Sequence, residues 1–196
     1  MDQLTIETYT TAASDFAAEW RAQPVPTDMY KLLRQFFVPG GKTADIGCGA
    51  GRDVAWLNDN GFPTVGYDAS RGLLDQAVAF FPHLEFKRAV LPKLDEIEDG
   101  TFDNVLCETV IMHLPPVQIG DACVRLLDIL KPGGVLYLTW RVSEGKNLRD
   151  QSGRLYSAFR GSLVADHLRN ATILLNDEAF NQSSGKRVHR IVAKRC

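Results

Sequence analysis

The stretch Asp45-Ile46-Gly47-Cys48-Gly49-Ala50-Gly51-Arg52-Asp53 decides how the rest of the chain is read. It stands between a short apolar run, Thr43 to Ile46, and a segment of helical periodicity, Arg52 to Asn60. In an open α/β sheet, the junction at the carboxyl end of a strand is where ligands bind. Glycines at 47, 49 and 51 let the backbone turn tightly and approach a ligand with no Cβ in the way. The helix start that follows offers unpaired N–H groups to an anionic group. Asp68 lies 21 residues after Gly47, just past the next apolar run, where an acid accepts hydrogen bonds from both hydroxyls of a ribose. The spacing departs from a dinucleotide site, because G-x-G-x-x-G requires glycine at position 52, where Arg52 stands.

Outward from this stretch, strands and helices alternate. Thr64 to Tyr67, Leu84 to Val90, Phe102 to Cys107 and Val135 to Trp140 read as four further strands. Ser70 caps a helix carrying Leu73, Leu74, Ala77 and Phe80. Pro116 to Leu130 predicts an amphipathic helix, with Ile119, Cys123, Leu126, Leu127 and Leu130 on one stripe. Lys131-Pro132-Gly133-Gly134 reads as a sharp turn. Upstream, Tyr9, Ala13, Phe16 and Trp20 recur at helical spacing, as do Met29, Leu32, Leu33, Phe36 and Phe37. Pro24-Val25-Pro26 separates these two runs. In the tail, a short helix over Leu163 to Leu168 precedes two strands, Thr172 to Phe180 and Arg187 to Ala193. These flank the turn Ser183-Ser184-Gly185-Lys186. The expectation is an open parallel sheet, covered on both faces and closed by an antiparallel hairpin.

Composition bounds the function. The 196 residues carry a net charge of −2, which gives no overall attraction to nucleic acid or an anionic membrane. With 45% apolar and 23% charged residues the chain is globular. No stretch reaches the roughly 20 apolar residues of a membrane span. The start, Met1 to Glu7, is acidic and lacks a basic segment followed by an apolar one, so a cytoplasmic location is expected. Cys48, Cys107, Cys123 and Cys196 form no C-x-x-C, and His83, His113, His167 and His189 form no ligand-spaced pair, so no metal is expected.

At this point the chain resembles a class I S-adenosyl-L-methionine-dependent methyltransferase, over roughly residues 5–141. Asp45 to Gly51 resembles the first motif of that family and Asp68-Ala69-Ser70 its ribose motif. Phe102 to Cys107 resembles its fourth strand, and Leu130 to Leu136 the turn into its fifth. Gly51-Arg52-Asp53 and the helical lead-in are similar to small bacterial members, including the tellurite and thiopurine types. The resemblance implies a Rossmann-like open sheet of about seven strands. It would be parallel but for one antiparallel strand from the C-terminal hairpin, with helices on both faces. It implies one domain over 1–196: a helical lead-in (1–40), a cofactor-binding core (41–141) and a C-terminal helix and hairpin (142–196).

It also implies residue roles. Gly47, Cys48 and Gly49 would pass under the methionine part of the cofactor, and Asp45 would orient that loop and receive the amino group. Asp68 would hold the ribose, with Ala69 beside the adenine. The family often has an acid after the third strand to meet the adenine amino group. Ala89-Val90-Leu91 stands there instead, leaving the backbone of Ala89 and Val90 to serve.

Other residues carry paired readings. Glu108, directly after the fourth strand, is a ligand of the cofactor's amino group, a general base, or a solvated capping carboxylate. His113 is a base reaching the acceptor, or a histidine that ties down a turn. Arg52, a cation at a helix start against the dipole, pairs with the cofactor's carboxylate or with Asp53 or Asp68. Tyr9 and Trp20 are a lid or core. Arg141, just past the fifth strand, faces the substrate side and suits an anionic acceptor.

The resulting expectation is methyl transfer to a small-molecule acceptor. With little material beyond the core, nucleic acid and membrane partners are not expected. A non-catalytic S-adenosylmethionine-binding or regulatory protein and a nucleotide-dependent oxidoreductase are the rival readings.

Overall fold

The computed structural model describes residues 1–143 and 145–196. Three helices lead in: α1 (Gln3–Thr11), α2 (Ala13–Ala22) and α3 (Thr27–Phe36). Then follow β1 (Thr43–Ile46), α4 (Arg52–Asp59), β2 (Thr64–Asp68), α5 (Arg71–Phe80), β3 (Glu85–Arg88) and β4 (Phe102–Glu108). Two short 3-10 turns, Ile111–His113 and Pro116–Gln118, lead to α6 (Ile119–Asp128) and β5 (Leu130–Arg141). The tail holds β6 (Leu148–Arg149), β7 (Leu155–Tyr156), α7 (Gly161–His167), β8 (Ala171–Phe180) and β9 (Arg187–Arg195).

Seven strands form one sheet in the order β3-β2-β1-β4-β5-β9-β8. β3, β2, β1, β4 and β5 pair in parallel, and β9 runs antiparallel between β5 and β8. Consecutive strands run outward from β1 to β3, and the chain then returns to place β4 on the other side of β1. That reversal opens a crevice beyond the carboxyl ends of β1 and β4, where a ligand site is expected.

The sheet is central because its inner strands are apolar on both faces. On β4 and β5, Val105, Cys107, Leu136 and Leu138 face one cluster with Ile119, Cys123 and Leu126 of α6. The alternate residues Leu106, Val135 and Tyr137 face the other, with Met29 and Leu33 of α3 and Leu57 of α4. Each such side chain fully buried contributes about 1.5–3 kcal/mol.

Three local expectations are modified by packing. The first helical run breaks at Ala12 into α1 and α2, because both segments must bend round α5. There Gly72 lets the backbone come so close that a Cβ would lie 2.4 Å from the Thr10 carbonyl oxygen. Lys131 to Gly134 is a bulge inside β5 rather than a turn before it: Phe102 pairs with Leu130, and Asn104 already with Val135. The helix expected from Pro116 begins at Ile119, since Pro116–Gln118 takes the tighter 3-10 form. The β6–β7 hairpin had no sequence signal. It is held to α1 by Leu155 N–H donating to Thr5 Oγ1 (2.9 Å) and by the Arg149–Asp2 ion pair. Among the described residues no helix is long and apolar enough to cross a membrane.

Candidate functional site

The glycine loop turns out of β1 at its carboxyl end. Gly47 and Gly49 have φ of +81° and +54°, in the left-handed region that side chains disfavour. A Cβ on Gly47 would lie 2.2 Å from Val110 Cγ2, and one on Gly49 would lie 2.9 Å from Trp20 Cζ3. The loop is held from β2: the N–H groups of Gly47 and Cys48 donate to the Tyr67 carbonyl at 2.7 and 3.0 Å. Asp68, the last residue of β2, accepts from Gly49 N–H (2.9 Å) on one oxygen and Ser70 N–H (2.8 Å) on the other. Two lone-pair sites of its carboxylate remain for a ligand. Ser70 then caps α5 by accepting from Leu73 N–H.

Asp45 does not brace this loop, contrary to expectation, because the Tyr67 carbonyl and Asp68 already satisfy its donors. The Asp45 side chain is buried with no hydrogen-bond partner among the described residues. Its pKa is pushed well up, first by burial and then by the charges of Asp53, Glu108 and Asp68.

Arg52 is paired within the protein. Its Nε and Nη2 donate to the two oxygens of Asp53, both at 3.0 Å, and its Nη1 donates to Ser183 Oγ at 3.1 Å. Asp53 also accepts from Tyr30 Oη (2.7 Å), so the opposed dipole at the start of α4 is offset locally. Ser183 belongs to the β8–β9 loop, which folds onto the site. In that loop Asn181 Nδ2 donates to Glu108 Oε1 at 2.9 Å, and Ser183 Oγ donates to Gln23 Oε1.

Glu108 is thereby half-buried rather than solvated. Burial first, then Asp53, raise its pKa to about 7, while Arg52 pulls it back. Asp45 on β1 and Asp28 on α3 are the other charges that bear on it. Between the ordinary value of 4.5 and about 7, the folded protein holds a proton that the unfolded chain has released. Stability therefore falls as pH rises through that window. Glu108→Gln keeps an acceptor for Asn181 and removes the charge. The variant is expected to be about 3 kcal/mol more stable than the parent at pH 8, with the difference gone by pH 4. Urea unfolding across this range checks it, and parallel pH profiles for the two proteins would contradict it.

His113 is committed on both nitrogens. Its Nδ1–H donates to the Leu155 carbonyl (2.6 Å), so Nε2 accepts from Tyr9 Oη (3.1 Å). Burial lowers its pKa to about 4 and keeps it neutral. This is the turn-tying reading, and it leaves no free lone pair for a base. Tyr9 Oη in turn accepts from Arg154 Nη1 (3.2 Å), and the Tyr9 ring lies 5.8 Å from that of Trp20.

These groups surround a cavity of about 290 Å³, at the small end for ligand sites. It is lined by Gly47, Cys48, Gly49, Arg52, Asp68 and Ala69, by Ala89 and Glu108, and by Tyr9, His113 and Arg141. Asp45 lies behind the lining. Val90 is also outside it: its carbonyl accepts from Leu94 N–H, and Leu91 lines the wall instead. Trp20 lines the cavity over Gly49, so it is wall as well as core. Asn181, Ser183 and Arg154 were missed by the sequence reading, and nothing local marks them. The arrangement offers a polar cradle at Asp68 and a proton acceptor at Glu108. Among the described residues no group of three His, Cys, Asp or Glu side chains is placed to hold a metal ion.

Residues 44–134 match the family described as methyltransferase domain. A ubiquinone biosynthesis O-methyltransferase of Methylococcus capsulatus is 30% identical over 119 residues, 58% of this chain and 49% of that one. The chain spans about half the length of the curated relatives it matches. Among solved structures, the 1,6-didemethyltoxoflavin-N1-methyltransferase of Burkholderia thailandensis, with 1,6-didemethyltoxoflavin and S-adenosylhomocysteine bound, superposes with a TM-score of 0.78. It is 19% identical, over 98% of this chain and 87% of that one. A TehB-like S-adenosylmethionine-dependent methyltransferase of Corynebacterium glutamicum gives 0.73 at 17% identity, over 95% and 99% of the two chains.

Proposed function

We propose that this chain, whose fold and whose segment 44–134 are those of the class I S-adenosylmethionine-dependent methyltransferases, transfers a methyl group to a small-molecule acceptor. One observation carries the reading. The positive-φ glycine loop and the Asp68 carboxylate, with lone pairs to spare, meet at one cavity beyond β1 and β4.

The residues fit the cofactor. Gly47, Cys48 and Gly49 present backbone to its amino-acid part, and Asp45, buried behind the lining, would receive its ammonium group through water. Asp68 holds the ribose, and Ala69, Ala89 and Leu91 supply an apolar wall for the adenine. When bound, S-adenosylmethionine supplies a methyl group already activated as an electrophile by the sulfonium. The protein's share is then alignment and exclusion of water. Glu108 takes the proton of the acceptor's O–H or N–H, its raised pKa matching that task near neutrality. Segments 1–40, 41–141 and 142–196 act as one domain, since residues of each line the cavity. The net charge of −2 favours a small molecule over nucleic acid, and the location we propose is cytoplasmic.

Thermal unfolding tests this against the oxidoreductase. S-adenosylhomocysteine at a hundred times its dissociation constant is expected to stabilise the protein by about 2.7 kcal/mol, and NAD and NADP not at all. Stabilisation by NAD with silence from both sulfur ligands overturns the reading. Methyl transfer to a candidate acceptor separates it from a non-catalytic binder.

A further inference from the structure

We propose that the acceptor carries an anionic oxygen group, a carboxylate or phosphate, and that the guanidinium of Arg141 binds it. The inference rests on the methyl-transfer reading and names the substrate class of the same cavity.

Arg141 ends β5 and lines the cavity. Its backbone is fixed by pairing with Val188 of β9 and by its N–H donating to Met112 Sδ at 3.3 Å. Its guanidinium lies 5.0 Å from the centre of the buried Tyr156 ring, which meets His113 edge-on at 4.9 Å. A ring beneath a guanidinium occupies its face and leaves the planar fork of N–H donors at its edge free. No carboxylate pairs with it among the described residues.

The other half-buried arginines of the cavity differ. Arg52 is held by Asp53, and Arg154 by Asp150 and Tyr9 Oη. Arg21 is exposed and lies over Phe80. Asp150 offsets Arg154, and His113 is neutral. What remains among the cations of the lining is Arg141, and with it Lys186, which also has no acidic partner among the described residues. Among the acids of the lining, Asp68 is held against the glycine loop and Glu108 ends β4. The lining therefore holds the carboxylates of Asp68 and Glu108 together with the cations of Arg141 and Lys186, which have no acidic partner among the described residues. A bidentate carboxylate or phosphate is the ligand that a guanidinium fork matches.

The register sets the span. Glu108 pairs with Thr139, two residues before Arg141 on the neighbouring strand. One strand spacing across and two residues along separate the two Cα atoms by roughly 8 Å. A small hydroxy or amino acid bridges that span, with its anionic group on Arg141 and its nucleophile at Glu108.

Calorimetry on the full chain saturated with S-adenosylhomocysteine tests this, with salicylate, lactate and phenyl phosphate set against the neutral salicylamide and lactamide. At least one anion is expected to bind, about tenfold or more tighter than its neutral counterpart. Arg141→Gln is expected to weaken that anion roughly 10- to 100-fold, and Arg141→Lys to restore part of the loss. The affinity for S-adenosylhomocysteine should stay at the parental value in both variants. Failure of every anion to bind at about 10 mM, well above ordinary ligand affinities, overturns the proposal, as does anion binding that survives Arg141→Gln. Anion binding lost in Lys186→Gln but kept in Arg141→Gln also overturns it. Failure of S-adenosylhomocysteine itself to bind tells instead against the underlying methyl-transfer reading.

Discussion

Gly49→Val is expected to abolish binding of S-adenosylhomocysteine, a loss of more than about 100-fold, or roughly 3 kcal/mol. Two effects act together. The φ of +54° at Gly49 disfavours a β-branched residue, which costs about 1–2 kcal/mol in the left-handed region. The new Cβ would also lie 2.9 Å from the Trp20 ring, at a point where the loop should face its ligand. β1 and α4 keep their own packing, so circular dichroism should remain that of the parent. A Gly49→Ala, Trp20→Ala double variant separates the causes. If contact with Trp20 dominates, the double variant recovers binding that Gly49→Ala alone loses. Normal affinity in Gly49→Val would remove this loop from the site.

Asp68→Ala is the second large effect, about 10- to 100-fold in affinity for the same ligand. That is the 1.5–3 kcal/mol of hydrogen bonds to a charged acceptor. The structure adds a consequence for the fold. Asp68 also accepts from Gly49 N–H and Ser70 N–H, so the variant leaves both donors without that partner and should lose about 1–3 kcal/mol of stability. Asp68→Asn keeps one acceptor oxygen and should fall between the parent and alanine on both measures. Calorimetric titration beside a thermal melt reads the two effects separately. Unchanged affinity in a folded Asp68→Ala variant would deny Asp68 the ribose.

The strands that build the sheet were legible because their information is local. Val105, Cys107, Leu136 and Leu138 alternate with Leu106, Val135 and Tyr137 inside β4 and β5, and a strand buried on both faces needs apolar residues at every step. The glycines of the loop, the Ser70 cap and the position of Asp68 were legible for the same reason: each answers a requirement of its own few residues of backbone. The sequence by itself therefore determined the sheet, and the glycine loop and Asp68 at the carboxyl end of its strands.

The tertiary structure alone decided which side chains complete the cavity and what state they are in. Asn181 reaches Glu108 from 73 residues away, and Ser183 reaches Arg52 from 131. Both contacts exist because β9 inserts between β5 and β8, which brings the β8–β9 loop over the end of the sheet. His113 reads alone either as a base or as a histidine that ties down a turn. Tyr9 and Leu155, brought from either end of the chain, occupy both its nitrogens and hold it neutral. Arg52 is neutralised by Asp53, and Arg141 is left without an acid among the described residues. Charge and protonation depend on what stands within a few ångströms in space, and that is set by the order in which strands pack.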